Sequence, residues 1–364
     1  MKKNYLFYLF ATVCVGFLFT SCGKDDLDPE PDPPDPVEVF SWKDAVGLYK
    51  AEGTLKLTLN EAEPTALKEV TLAVGAGENA KITLTNIVPD GATVEIDNVS
   101  MKKDGDDDNA YTFTAESTLG LTTVSVAGSL TGIREATRTL NLNVTRKITS
   151  PLAGRWKLDL SREDVDPASP PIIYINVKTG DAVTDGILNT MLSPMLDGML
   201  VQKVMDVAIE LGEDGLFDVN WTDIYGSETG MPDFVKQIVS IQYFVEDGKV
   251  YLALDKSVLP LLAAIPLPEG LDIDLNAIIS SLAEDRGGFI ALPISLELDT
   301  QSAKALFYAG KGMLQALLPI VAPMLTGTLP EGLPEFVLQL IQGLPDIVAG
   351  AETFDIGLNF VKNN

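Results

Sequence analysis

The side chains of this sequence that could do chemistry are mainly carboxylates, because other reactive groups are scarce. The chain has 364 residues, with 52 Asp and Glu, two cysteines and no histidine. Without histidine, the chain has no Ser-His or Cys-His catalysis and no histidine-ligated metal site. Two carboxylates could still hydrolyse a glycosidic bond, since that reaction needs an acid paired with a base or nucleophile. A histidine-free hydrolase is therefore one open hypothesis.

The densest carboxylate cluster is the run Asp-Gly-Asp-Asp-Asp-Asn at residues 104–109. Calcium takes about six to eight oxygen ligands, which such a loop could partly supply. The spacing is not that of an EF-hand, because the glycine comes second and the twelfth position is Ala115. A solvent-exposed hairpin turn explains the same composition. We therefore predict no metal and no other cofactor.

Other functional signatures are missing from the sequence. It contains no Gly-x-Ser-x-Gly elbow, P-loop or dinucleotide fingerprint. Sugar sites usually offer aromatic rings, yet Trp156 and Trp221 fall in strand-like runs where core packing is the default. The formal charge of −26 argues against nucleic acid, which is bound by Lys and Arg. We predict a non-enzyme with no nucleic-acid partner.

Residues 1–21 have the pattern of a lipoprotein signal peptide. Lys2 and Lys3 precede an apolar stretch at 5–19, which is shorter than the about 20 residues of a membrane-spanning helix. The ending Phe19-Thr20-Ser21-Cys22 resembles a bacterial lipobox, although Phe19 stands where an aliphatic residue is usual. The resemblance implies that Cys22 is lipidated and binds the membrane. A soluble secreted protein with an unmodified Cys22 is the alternative.

Residues 22–38 read as an acidic, proline-rich tether. Positions 23–38 carry seven acids, one lysine and five prolines, a composition that favours an extended chain. The acidic residues directly after Cys22 are similar to the signal that sends Bacteroidetes lipoproteins to the cell surface. The predicted location is thus the outer membrane, lipid-anchored and exposed at the cell surface.

The rest of the chain divides into two predicted domains, 39–149 and 150–364. The first has short alternating runs separated by turn residues, which indicate an antiparallel sandwich or a lipocalin-like barrel. The second is α+β: an antiparallel sheet with inserted apolar helices, so the chain as a whole is mainly β. Strands are predicted at 53–59, 70–74, 81–85, 93–96, 111–115, 122–127, 137–144, 150–160, 171–177, 216–221, 241–245, 249–254, 289–298 and 354–361. A long apolar run with helical spacing covers 187–211, and helix-like or loop-like apolar stretches are predicted at 258–283, 303–326 and 334–349.

Two strand starts carry a family resemblance. Gly47-Leu48-Tyr49 and Gly154-Arg155-Trp156 are similar to the Gly-x-Trp start of lipocalin and calycin barrels. Residues 128–130 and 140–144 look like the closing strands of calycin-like Bacteroidetes lipoproteins. The chain as a whole resembles an uncharacterised family of Bacteroides surface lipoproteins. The resemblance implies a β-rich fold and a surface location, but fold analogy does not give function.

Methionine and leucine recur at helical spacing between residues 187 and 211. Such a stripe is typical of a core helix, although thioethers also suit the lining of an apolar ligand site. The leading hypothesis is non-catalytic binding of a lipid or other amphiphile in the second domain. The alternative is a structural or adhesion protein that contacts a host factor, a glycan or another envelope protein. The predicted lining residues are Met191, Met195, Met199, Met205, Leu262, Leu317 and Met324.

Overall fold

Strands make up most of the chain that the computed structural model describes. The residues from Phe40 to Asn364 belong to one unit. The described residues are 41–51, 53–61, 68–89, 93–105, 107–133, 138–158, 160, 171–230, 241–260, 279, 281–318 and 335–363.

Nine strands form a sandwich of two sheets. The four-stranded sheet has the order β1-β3-β4-β5, and the five-stranded sheet has the order β2-β9-β8-β7-β6. Pairing is antiparallel except between β2 and β9, which are parallel. Both sheets are open, so the sandwich is confirmed and the lipocalin-like barrel is not formed. The strands are β1 Gly47–Lys50, β2 Leu55–Leu59, β3 Glu69–Val74, β4 Ala80–Thr85, β5 Thr93–Val99, β6 Lys102–Asp104, β7 Asp107–Leu119, β8 Thr122–Thr131 and β9 Thr139–Ile148.

The core of the sandwich follows from the two-residue period of its strands. Successive side chains point to opposite faces, so every second residue is buried. Val70 and Leu84 from one sheet and Leu130 and Leu142 from the other belong to the same buried cluster. The sequence predicted this pattern because the intervening residues are mostly polar.

Gly128 makes room for an aromatic ring in this core. A Cβ atom at this position would lie 2.5 Å from Cζ of Phe113 and 2.8 Å from the carbonyl oxygen of Asn141. Gly128 is opposite Phe113 on β7 and opposite Leu142 on β9. The ring of Phe113 therefore occupies the volume that a side chain on β8 would need.

The second part of the chain is an 11-stranded sheet. Its main path is β14-β13-β12-β10-β20-β19-β18-β16-β15, while β11 pairs with β20 and β17 with β18. A bridge between Leu216 and Gln242 brings β15 beside the start of β13, so the sheet is strongly curled. Trp156, Tyr243 and Phe360 share the apolar cluster inside the curl. The strands are β10 Gly154–Leu158, β11 Ile173–Lys178, β12 Val204–Leu211, β13 Phe217–Asp223, β14 Glu228–Gly230, β15 Gln242–Glu246, β16 Lys249–Asp255, β17 Glu284–Arg286, β18 Phe289–Asp299, β19 Lys304–Ala309 and β20 Thr353–Asn363.

Helices pack on the same inner face of the sheet, at one end of β11 and β20. Leu188, Leu344 and Val348 from the helices share a cluster with Val177 and Phe354 from the strands. None of the helices that the structure describes is long and apolar enough to cross a membrane. The helices are α1 Ala182–Ile187, a π-helical turn at Leu188–Leu192, α2 Ser193–Val201, a helical segment at 311–318 and α3 Glu335–Gly350.

The predicted α+β class is confirmed, but two helix predictions extend too far. Val204–Leu211 is strand β12, and Lys304–Ala309 is strand β19. Each lies between two other strands of the curled sheet. Both strands place apolar residues at adjacent positions, as at Val207–Ala208–Ile209 and Ala305–Leu306–Phe307, so periodicity alone does not separate them from a buried helix.

A fully buried arginine joins the sandwich to the curled sheet. Arg146 of β9 is 1% exposed, and its Nη2 donates to the carbonyl oxygen of Tyr243 at 2.7 Å. Its Nη1 lies 3.4 Å from the carbonyl oxygen of Gly215 and 3.4 Å from Oε1 of Gln242. A Cβ at Gly215 would collide with Nη1, and this residue has a φ of 82° that favours glycine.

A buried ion pair forms a second connection. Nζ of Lys68 donates to Oδ2 of Asp255 and lies 4.1 Å from the ring centroid of Phe289. Burial lowers the pKa of Lys68, and the hydrogen bond to Asp255 opposes that effect. Burial tends to raise the pKa of Asp255, but donors from Lys68 and Ser257 outweigh it and hold the pKa below its usual value. These contacts cross the predicted boundary at 149–150, and the division into separable domains stays a prediction.

We expect Gly128→Ala to destabilise the protein by about 1–3 kcal/mol, because the added methyl group overpacks the core beside Phe113. Gly186→Ala in α1 is the matched control, since a Cβ there meets nothing within 4 Å. Urea unfolding followed by circular dichroism gives both values. Equal stability of Gly128→Ala and wild type would contradict the packing described for β8.

We also expect acid to weaken the Lys68–Asp255 connection. Because the folded-state pKa of Asp255 is below the usual 3.8, its contribution is complete above that pH and is lost as the pH falls through the folded value. Below about pH 4 the urea midpoint of wild type should fall more steeply than that of a Lys68→Met/Asp255→Leu variant. Parallel pH curves would show that the pair contributes nothing to acid stability.

Candidate functional site

The outer side of the five-stranded sheet carries mainly short polar side chains, with a few lysines, one glutamate and one alanine among them. They alternate with the buried residues of the same strands, so they point away from the core. We call this set the polar face. It comprises Lys56 and Thr58 of β2, Lys102 of β6, Thr112, Thr114, Glu116 and Thr118 of β7, Thr123, Ser125, Ala127, Ser129 and Thr131 of β8, and Thr139, Asn141, Asn143, Thr145 and Lys147 of β9.

The strand register arranges these side chains in rows. One row crosses all five strands and runs Lys102, Thr112, Ser129, Asn141, Lys56. Neighbouring strands are about 4.8 Å apart, so this row is about 19 Å long. A ligand lying along the row would meet one polar side chain from each strand in turn.

Hydrogen bonds within the polar face hold its amides in place. Nδ2 of Asn141 donates to Oγ of Ser129 at 3.1 Å. The hydroxyl of Thr58 donates to Oδ1 of Asn143 at 2.9 Å. A carboxamide has two donors and an acceptor with two lone pairs, so each amide keeps capacity for a ligand.

A shallow groove follows the polar face. Its larger part has a volume of 640 Å³ and lies over β2, β9 and β8, where Thr58, Ser129 and Asn141 line it. A second part of 360 Å³ lies over β7, β8 and β9. Both parts are lined by Ala127 and Asn143. The small side chain of Ala127 thus lies where the two parts adjoin, and together they cover parts of β2, β9, β8 and β7.

The polar face offers mainly hydrogen bonds, although it carries a net charge of +2. Lys56, Lys102 and Lys147 are its cations and Glu116 is its anion. The outer side of the four-stranded sheet differs, because it carries ion pairs such as Lys81–Glu95 and Lys50–Glu69. Most side chains of the polar face are uncharged hydroxyl or amide groups, so the face suits a ligand with many hydroxyl groups.

The carboxylate run at 104–109 extends from the last residue of β6, through the turn residue Gly105, to the first residues of β7. Gly105 has a φ of 64°, the left-handed conformation that such a turn requires. Asp106 lies outside the described residues. Over the part of the chain that the structure describes, no three Asp, Glu or Cys residues are grouped so that they could hold a metal ion.

The predicted apolar site residues are only partly brought together. Met195 packs against the cluster that contains Leu318, in the helical segment at 311–318. Met199 and Leu317 are half-buried. Met191 is 53% exposed, and Met205 is 60% exposed and lies on β12 instead of the helix. The apolar cavity stays a prediction. Cys22, Leu262 and Met324 lie outside the described residues.

Sequence reasoning missed a pair of tyrosines on the outer side of the curled sheet. Tyr174 of β11 and Tyr308 of β19 are both opposite Gly357 of β20. Their ring centroids are 6.0 Å apart and their planes are inclined by 58°. Burial raises the pKa of the Tyr174 phenol, and the carboxylates of Asp355 and Glu297 add to this effect. The phenol therefore stays protonated at neutral pH.

The signal for the polar face was present in the sequence. Outward positions 123–131 and 139–145 hold only Ser, Thr, Asn and Ala, in a chain in which charged residues make up 21%. The rows themselves depend on the pairing of β2 with β9, which are remote in sequence.

Comparison with known proteins found no matching family model, no matching curated protein and no matching solved structure.

Proposed function

We propose that this protein is a surface-exposed bacterial lipoprotein that binds a glycan without catalysis, and that the glycan lies on the polar face. The observation that carries the proposal is the set of hydroxyl and amide side chains held in register across β7, β8, β9 and β2, with a lysine at each end of the row that spans five strands. Glycans present dense hydroxyl groups that donate and accept hydrogen bonds, which is the chemistry this row offers. The groove gives such a ligand a defined place on the sheet.

The energetics suit a multivalent or extended ligand. One hydrogen bond contributes about 0.5–1.5 kcal/mol net, so several rows must act together for useful affinity. Most side chains of the polar face are short, and both of its amides already have partners, at Ser129 and Thr58. Little side-chain freedom is therefore lost on binding, which favours affinity.

With the proposed anchor, weak binding at each single site would be sufficient. A lipid on Cys22 would hold many copies in one membrane, and linked sites bind a polymer far more tightly than one site does. The acidic tether at 22–38 would keep the sandwich away from anionic headgroups. In this proposal the partners are the membrane, through the anchor, and an extracellular or envelope glycan.

A second candidate function is binding of an apolar or amphiphilic ligand near α1 and α2. Val183, Ile187 and Met191 are exposed and recur every four residues, which places them along one side of the helical segment. Met195 lies beside the apolar cluster of the same segment. A fluorescent fatty acid, titrated beside the glycans below, separates this candidate from the first.

We expect Asn141→Ala/Asn143→Ala to weaken glycan binding about tenfold or more, which corresponds to about 1.4 kcal/mol. The full-length chain in detergent would be tested by affinity electrophoresis in a panel of neutral polysaccharides. Both side chains point outward, so the thermal midpoint should stay near that of wild type.

The matched control for that experiment is Thr71→Ala/Thr83→Ala. These residues are opposite each other on the outer side of the four-stranded sheet, so the control removes two polar groups from a different face. Glycan retardation that survives in the asparagine variant, or that is lost equally in the control, would contradict the polar face as the site.

We expect Cys22→Ser to abolish lipidation. Only the cysteine thiol can accept the lipid in the proposed processing, so cells fed an alkyne fatty acid should label the wild-type chain alone. Gel fluorescence after attachment of a dye measures the label. Label retained on the serine variant would show that the anchor is not on Cys22.

A further inference from the structure

We infer that Tyr174 and Tyr308 form a second carbohydrate subsite, which takes a neutral pyranose ring on the outer side of the curled sheet. This subsite shares the ligand class of the proposed function but lies on another sheet and depends on other residues. It rests on three features of the described residues: the paired rings, the glycine between them, and the polar groups that border them.

The rings are held by the register of three strands. Tyr174 and Tyr308 flank β20 at the same level, with Gly357 between them. Both side chains are half-buried, so neighbouring residues fix them while part of each ring stays accessible. The inclination of 58° between the ring planes makes an open angle, not a closed stack. The apolar C–H face of a sugar can lie against such a ring surface.

Gly357 lies at the base of the open angle between the two rings, where a larger residue would not fit. A Cβ there would lie 2.5 Å from the carbonyl oxygen of Phe307 and 2.6 Å from Cβ of Tyr308. Aromatic rings that cover a cross-strand glycine also stabilise a sheet, so packing accounts for one ring. It does not account for a ring on each side of the glycine together with the polar residues beside them.

The polar border matches the edge of a sugar. Asn176 is opposite Asp355, and its Nδ2 donates to Oδ2 of Asp355 at 3.0 Å. Gly310 leaves space beside the other oxygen, because a Cβ on Gly310 would lie 3.5 Å from Oδ1 of Asp355. A fixed carboxylate oxygen with space next to it can accept a hydrogen bond from a sugar hydroxyl.

Charge decides which sugars fit. Asp355 and Glu297 are both close enough to Tyr174 to raise the pKa of its phenol. Two carboxylates at the border repel an acidic sugar but accept hydrogen bonds from hydroxyl groups. The subsite therefore selects neutral sugars over uronic acids, and the phenol of Tyr174, whose pKa is raised, can act as a donor.

The test measures binding of the full-length chain in detergent to cellohexaose, maltohexaose and hexagalacturonate by saturation-transfer NMR and calorimetry. We expect wild type to bind at least one neutral hexaose about tenfold more tightly than hexagalacturonate. Tyr174→Ala/Tyr308→Ala should lose this binding, whereas Tyr174→Phe/Tyr308→Phe should retain the stacking part of it. Tyr225→Ala is the control, because Tyr225 is a tyrosine that is 86% exposed elsewhere on the protein.

A second variant tests the subsite if the alanine substitutions disturb folding. Asp355→Asn preserves side-chain size and should weaken neutral-sugar binding and reduce the discrimination against hexagalacturonate. Neutral binding that is unchanged in the phenylalanine, alanine and Asp355→Asn variants overturns the subsite. If the same binding is lost in Asn141→Ala/Asn143→Ala, the polar face alone is the site. Absence of binding to all three oligosaccharides also overturns the subsite. The polar face is tested independently, by the retardation of the protein in polysaccharide gels.

Discussion

The buried guanidinium of Arg146 is the constraint on which the arrangement of the two sheet systems depends. An arginine stays charged in any protein environment, so its burial requires acceptors in fixed positions. Backbone carbonyls of Tyr243 and Gly215 supply them, and Gly215 must be glycine because a side chain would occupy the space of Nη1. Carbonyls cannot rotate independently of the chain. The edge of the curled sheet is therefore fixed against the end of β9.

The same strand links this constraint to the polar face. Even-numbered residues of β9 supply the core and Arg146, while the odd-numbered residues 141, 143 and 145 point outward. A one-residue slip of β9 would exchange the two sets, so the burial of Arg146 and the register of the outward asparagines stabilise each other. The outward side chains proposed to bind a glycan thus lie on a sheet instead of on loops, and their spacing is set by strand geometry.

How much could be predicted from sequence depended on where each strand packs. Strands with one solvent-facing side, such as β4 and β9, show a clear alternation of apolar and polar residues, and both were predicted as strands. Strand β12 was taken for part of a helix, because apolar residues at adjacent positions, as in Val207–Ala208–Ile209, leave no simple alternation. The candidate sites were harder to predict. Tyr174, Gly357 and Tyr308 become neighbours only through pairings between β11, β20 and β19, which no local pattern specifies.

The parallel pairing of β2 with β9 has a kinetic consequence. The hydroxyl of Thr58 and the amide of Asn143 that it meets are 85 residues apart in sequence, and Lys68 and Asp255 are 187 apart. Contacts between distant residues form slowly, because the long intervening loop must close first. A chain that emerges from synthesis N-terminus first must carry β2 unpaired until β9 has appeared. Within the sandwich, the groove is consequently one of the last features to form, and its completion reports that the sandwich has folded.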